Sequence, residues 1–280
     1  MAENLDPTLT DAHLAAALVR NAGGLALAIR ERGLEALRDT AAEKTGASDV
    51  VTAADLAAES YVFEQLRRCR PDDSILGEEG AGYAGTSGRI WVIDPVDGTY
   101  NFYSGSTYWC SALALTEAAG SWPEEPDSLT DAEVLLGAIF QPQENKLWLG
   151  GPQLPATVNG VPIAADTGEH LGQLSAGTYI HPKWLGDPQA GIPWQHAAQL
   201  PATLRMLGSG SCDLGRVAQG ELGVWFQHSC PAWDWLPGKA IVRAAGGDTG
   251  VVQVNGLNWF VAGPAAAVAA LRTALESGSF

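Results

Sequence analysis

The chain has 280 residues, 46% of them apolar, enough to bury a sizeable core in one domain or two closely fused ones. Its net charge of -16 at pH 7, with no basic cluster longer than Arg67-Arg68 and nearby Arg70, argues against a nucleic-acid polymer as partner. There is no repeat, low-complexity tract or CxxC pair. Cys69, Cys110, Cys212 and Cys230 therefore read as free buried thiols of a reducing compartment rather than as a zinc knuckle.

Met1 to Thr10 has no basic segment ahead of an apolar run, and no apolar stretch reads as long enough to span a bilayer. The expected location is cytoplasmic, with no membrane partner. From Asp11 to Arg38, Leu14, Leu18, Leu25 and Ile29 recur at helical spacing, while Gly23-Gly24 weakens the middle; one long or broken helix is predicted. A second helix is predicted over Ala53 to Arg70. Thr52 and Asp55 fit a capping box, Leu56, Phe63 and Leu66 supply part of a buried stripe, and Pro71 follows the end.

Short β-rich runs follow at Ile90 to Ile93, Ser111 to Leu115, Val134 to Phe140 and Lys146 to Leu149, and read as neighbouring strands of one sheet. Between the second and third, Glu117 to Ala132 reads as an exposed acidic loop or hairpin tip, a tolerated insertion. Beyond Gly150 a strand is expected near Leu174 to Tyr179, a helix over Ser211 to Gln219 and a strand at Gly223 to Phe226. A helix from Asp234 towards Ala245, ended by Gly246-Gly247, then precedes strands at Thr249 to Val254 and Trp259 to Ala262 and a terminal alanine-rich helix. The reading is a mixed α and β architecture of two fused halves, residues 1–150 and 151–280, meeting near Gly150.

The most informative segment is Trp91 to Phe102, WVIDPVDGTYNF. An apolar strand delivers Asp94 at its end, and Pro95 turns the chain so that Asp97 can face the same point. Gly98 lets the backbone approach a ligand closely, and Thr99 opens a short helix whose free N–H groups suit a phosphate. Asp-Gly is also common in plain turns. Gly77-Glu78-Glu79-Gly80 upstream and Trp233-Asp234 at the start of a later helix tip the balance towards a shared acidic site. Two like charges about 4 Å apart repel by about 4 kcal/mol at an effective dielectric of 20, so such a cluster calls for cations. Oxygen ligands without a neighbouring histidine favour magnesium, manganese or calcium over zinc or copper, with Mg2+ first and Mn2+ as a substitute.

Gly77-Glu-Glu79, Asp94-Pro-Val-Asp-Gly-Thr99 with Asn101-Phe102, and Trp233-Asp234 followed by Ala244-Ala-Gly-Gly247 resemble, in order and separation, the three signatures of the inositol monophosphatase family. Lys44 with Val51-Thr52-Ala-Ala-Asp55 is similar to a fourth, weaker motif. The resemblance spans Lys44 to Gly247 and implies the layered αβαβα sandwich of the sugar phosphatases, usually a homodimer. It implies one metal held by Glu78, Asp94 and the Val96 carbonyl, a second by Asp94, Asp97 and Asp234, and a third, weaker one near Glu78. Asp55, Thr99 and Glu78 would serve catalysis, Asp55 and Thr99 by orienting and activating the attacking water. The implied activity is lithium-sensitive, Mg2+-dependent hydrolysis of a small phosphate monoester.

The resemblance also implies a substrate shelf from Asp97, Gly98, Thr99, Gly208-Ser209-Gly210, Gln227 and Asp234. Gln227 stands where inositol-selective members generally place a glutamate; it is either a reader of substrate hydroxyls or a polar residue at a strand end. His181 and His228 read as structural or surface residues, and Trp91, Trp233 and Trp235 as core, with Trp235 a possible pocket wall. Alternatives within the class are histidinol-phosphate phosphatase, adenosine 3',5'-bisphosphate 3'-phosphatase and fructose 1,6-bisphosphatase. Outside it stands a non-catalytic cation-binding regulatory protein.

Overall fold

The computed structural model describes residues 4–39, 41–46, 49–117 and 126–279. Helices α1 (Asp11–Glu31) and α2 (Leu34–Asp39) lead to the antiparallel pair β1 (Ala42–Gly46) and β2 (Asp49–Val51), then to α3 (Ala53–Cys69). Strands β3 (Ser74–Gly77), β4 (Gly82–Tyr83) and β5 (Arg89–Asp97) precede α4 (Thr99–Ser104). Next come β6 (Cys110–Glu117), β7 (Val134–Gln141), β8 (Lys146–Gly151), β9 (Leu154–Val158) and β10 (Val161–Pro162). The remainder comprises β11 (Ser175–Tyr179), α5 (Pro182–Leu185), α6 (Pro188–Ala198), β12 (Thr203–Arg205) and α7 (Gly210–Ala218), then β13 (Val224–His228), α8 (Ala232–Ala244), β14 (Asp248–Val254), β15 (Leu257–Gly263) and α9 (Ala265–Glu276).

An eight-stranded sheet runs in the order β10-β9-β8-β7-β6-β5-β3-β4, antiparallel except for the β3–β5 pair, and a five-stranded sheet runs β12-β11-β13-β15-β14. Helices α1 and α3 cover the outer face of the first sheet. Helices α7 and α8 fill the space between the sheets, and α6 and α9 cover the outer face of the second. This is the expected αβαβα layering: each sheet buries both faces and each helix one apolar stripe.

Several local expectations need correction. Helix α1 is continuous through Gly23-Gly24, because Gly23 is buried against Phe140 of β7 and Pro142 of the turn after it; the break comes at Arg32-Gly33. By length and composition α1 is apolar enough to cross a membrane, contrary to the reading above, but Leu14, Leu18, Val19 and Ala22 are buried against α3 and the first sheet. Leu56 is 51% exposed, and the inward stripe of α3 carries Asp55 and Glu59 among Ala54, Ala58, Val62 and Leu66.

The junction placed near Gly150 falls inside β8, and the first sheet continues to Pro162. Gly150 and Gly151 mark close packing: an added Cβ would sit 3.1 Å from Ala244 Cβ and 2.3 Å from Leu135 O, respectively. Of the acidic loop, residues 118–125 lie outside the described residues, and Pro126–Leu129 form a 3-10 turn. All four cysteines are buried and free, as expected.

Candidate metal centre

Strand β5 is central in the first sheet and buried along almost its whole length. In a regular strand residues 94 and 97 would point to opposite faces, because side chains alternate. Here Asp94 stands opposite Ala112 and Asp97 opposite Cys110, three steps on β5 against two on β6. That β-bulge returns both carboxylates to one side. Pro95 has no N–H to lose from the ladder, and its carbonyl accepts from Ser111 Oγ at 2.6 Å.

Asp234 lies in the first turn of α8, which packs along β5 to β8. One carboxylate oxygen from each of Asp94, Asp97 and Asp234 lies within 4.8 Å of the others. Glu78 stands outside that tight trio but close by, since β3 runs parallel to β5 with Gly77 opposite Ile93, and Glu78 N donates to Ile93 O at 3.1 Å. Its charge is the foremost of the neighbouring acids that, after burial itself, push the Asp94 carboxyl well above the usual carboxylate range.

Asp94 is 1% exposed, and neither of its carboxylate oxygens has a hydrogen-bond partner among the described residues. A buried carboxyl with no donor is costly. Asp97, also raised by burial, accepts at Oδ2 from Ser209 Oγ at 2.8 Å and Ser211 N at 2.6 Å, so it binds the first turn of α7.

The capping box at the start of α3 forms as expected. Thr52 N donates to Asp55 Oδ2 at 3.0 Å, and Thr52 Oγ1 donates to the same oxygen. Asp55 Oδ1 faces Thr99 Oγ1 at 3.2 Å, and that hydroxyl also reaches Val96 O at 2.9 Å. One hydroxyl proton thus has two acceptors. Burial, opposed by the Thr52 bond and reinforced by Glu79, pushes Asp55 up to about 6.

Gly98 has φ +88°, and an added Cβ would lie 2.9 Å from Gly208 O; Gly208, at φ +84°, would meet Asn101 Nδ2 at the same distance. Only glycine fits both the left-handed backbone and this contact. Asn101 Nδ2 donates to Tyr108 O at 2.8 Å and Leu207 O at 2.7 Å, which pins the Gly208-Ser209-Gly210 turn against α4.

Together these elements enclose a cavity of about 660 Å³ lined by Glu78, Asp97, Thr99, Ser209, Gln227 and Asp234, among others. Gln227, next to last in β13, lies on the cavity wall. His181 also lines the cavity, and its Nδ1 accepts from Lys183 N at 3.2 Å; His228 packs against Trp184 and Trp259. Trp235 is core rather than wall, stacked on Trp225 with centroids 6.1 Å apart. Trp91, fully buried, donates its Nε1 to Asp73 Oδ2 at 2.8 Å.

Sequence reasoning missed two acids. Buried Glu59 accepts from Glu79 N and Ala81 N, each at 2.8 Å, and so holds the loop that carries Glu78; its position four residues after Asp55 on one helix face was the available signal. Asp213, on the cavity wall, accepts from Tyr108 Oη at 2.5 Å and is pushed up to about 7 by burial. No local pattern marks it.

The donor set suits a hard divalent cation: it is all oxygen, it converges, and it contains a buried carboxylate without a hydrogen-bond partner among the described residues. The chain matches the sequence profile of the Inositol monophosphatase family over residues 10–277. It is 34% identical to Nus factor SuhB of Xylella fastidiosa over 72% of this chain and 67% of that one, and 32% identical to inositol-1-monophosphatase of Rhizobium meliloti over 72% of each. The extragenic suppressor protein suhB from Bartonella henselae has the same fold, with a TM-score of 0.81 at 23% identity over 95% of this chain and 98% of that one. The bulged aspartate pair, the aspartate of α8 and a match running almost end to end agree, and the chain belongs to the inositol monophosphatase family.

Proposed function

We propose that the chain is a magnesium-dependent phosphatase that hydrolyses a small soluble phosphate monoester. The observation that carries this reading is the buried carboxylate of Asp94, without a hydrogen-bond partner among the described residues, in a trio of aspartates beside an open cavity. Glu78, Asp94 and the Val96 carbonyl would hold one cation, Asp94, Asp97 and Asp234 a second, and a third would lie near Glu78. Mg2+ bound there supplies charge neutralisation for the phosphate and the leaving oxygen.

The chain's own groups do the rest. With Val96 O taken up as a ligand, the Thr99 hydroxyl donates to Asp55 Oδ1 and its oxygen is free to accept a proton from the attacking water. Asp55, at about 6, is largely ionised at neutral pH and suited to that acceptor role. The first turn of α4 after Gly98 would face the phosphate, while Gly208, Ser209, Gly210 and Gln227 would position the alcohol. Unaided monoester hydrolysis is among the slowest of biological reactions, so positioning and charge neutralisation must supply most of the barrier reduction.

A cytoplasmic, lithium-sensitive homodimer is part of this proposal; four free buried cysteines suit a reducing compartment. Inositol monophosphate is the reference substrate, with histidinol phosphate, adenosine 3',5'-bisphosphate and fructose 1,6-bisphosphate as alternatives. Relatives named Nus factor support a second reading, a cation-binding protein with a role other than turnover. Phosphate release from these four esters with Mg2+, in wild type and Asp94→Asn, tests both. Release lost in the variant supports the phosphatase; magnesium binding without release from any ester supports the second reading.

A further inference from the structure

The inner and outer parts of the cavity differ in chemistry. Its floor is acidic, with Glu78, Asp97, Asp213 and Asp234 on the lining, and no lysine or arginine is among the described residues that line it. Its mouth carries Tyr100, Tyr179, Leu185 and Met206, which are 52%, 36%, 45% and 49% exposed. Exposed apolar side chains are ordinary when scattered singly. These four come from α4, β11, α5 and the segment after β12, and converge on one opening. The two phenol hydroxyls have no hydrogen-bond partner among the described residues, so each ring offers a face, an edge and a spare polar tip.

At about 660 Å³ the cavity falls within the roughly 300–1,000 Å³ that encloses a whole small molecule, so the mouth belongs to the same ligand as the floor. We propose that the alcohol part of the substrate carries a flat apolar ring that lies against Tyr100, Tyr179, Leu185 and Met206, and that it carries no second anionic group. This rests on the phosphatase reading above. The cations held by the acids neutralise one phosphate; a second phosphate would meet apolar side chains and an acidic floor, with His181 as the one titratable base and no lysine or arginine among the described lining residues to pair with. A polyol in the same place would cover leucine and methionine without gaining the ring contacts that an apolar ring makes there, so the mouth favours the ring over the polyol.

The test compares kcat/KM with Mg2+ for 2-phenylethyl phosphate, adenosine 3'-monophosphate, adenosine 3',5'-bisphosphate and inositol 1-phosphate, in wild type and in Leu185→Ser and Met206→Ser. At least one ring monoester is expected to exceed both the bisphosphate and inositol 1-phosphate by about tenfold or more, and whichever ring ester leads tells whether sugar hydroxyls are also read. The ratio of the preferred ring ester to inositol 1-phosphate should fall by about fivefold in each variant, mainly through KM. Preference for the bisphosphate or the polyol, or an unchanged ratio in both variants, overturns the proposal. If no ester is hydrolysed, the phosphatase reading fails, and calorimetric titration of adenosine and 2-phenylethanol decides the mouth separately: binding weakened by Met206→Ser upholds it, and no binding of either overturns it.

Discussion

Asp94→Asn should change stability in opposite directions with and without divalent cations. The Asp94 carboxyl is 1% exposed and without a donor among the described residues, within 4.8 Å of oxygens of Asp97 and Asp234. At an effective dielectric of 20, each ionised pair at 4.8 Å repels by about 3.5 kcal/mol. Holding a proton instead at about pH 7.5, against an ordinary value of 3.8, costs about 5 kcal/mol. Either route strains the cation-free wild type. Asparagine keeps the shape and removes the charge, at a residual cost of about 1–3 kcal/mol for its own unpaired amide. The cation-free variant should therefore be more stable by about 2–4 kcal/mol, which for a chain of this size raises Tm by about 3–7 °C. Magnesium at 100 times its Kd stabilises wild type by about 2.7 kcal/mol per site, and the variant should lose most of that gain. Thermal melts of both proteins in EDTA and in saturating magnesium provide the measurement. A variant that melts below wild type in EDTA, or that gains as much from magnesium, would refute the reasoning.

Burial raises Asp94 and Asp97, lifts Asp55 to about 6 and Asp213 to about 7, so the cation-free folded state binds more protons than the unfolded one. Its stability should be greatest below the ordinary carboxylate value and decline as pH rises from about 4 to about 7, whereas magnesium, competing with those protons, should raise Tm less at about pH 5 than at about pH 8; melts across that range check both slopes. Gly98→Ala places a Cβ 2.9 Å from Gly208 O at φ +88°, so a loss of about 2–4 kcal/mol and a fall in kcat of about 100-fold are expected, read by melting and steady-state rates. Glu59→Gln replaces one of two acceptors with an NH2 group facing an N–H, so about tenfold more magnesium should be needed for half-maximal activity, with kcat largely recovered at saturation.

Much of the molecule was legible from local pattern. Helical spacing placed α1 and α3, β-rich runs placed β5 to β8, the capping box of Thr52 and Asp55 formed, and motif spacing singled out the aspartates that converge. These signals are legible because each lies within one turn, one strand or one short loop, where periodicity and capping report directly on the backbone. Short elements such as β4, β10 and α5, with two to four residues, carry too little periodicity to read.

What tertiary structure alone decided were relations between residues far apart in the chain. The bulge of β5 is defined against β6, and without it Asp94 and Asp97 would face opposite ways. Asp55 meets Thr99 across 44 positions and Asp97 meets Ser211 across 114, so no local window contains either pair. Gly150 reads as the meeting point of two halves until Ala244 is brought against it, and Leu56 as core until α3 turns Asp55 and Glu59 inward. Residue identity determined which groups were available for the chemistry; packing between distant segments determined which of them share a cavity, because burial and like-charge proximity exist only once those segments meet.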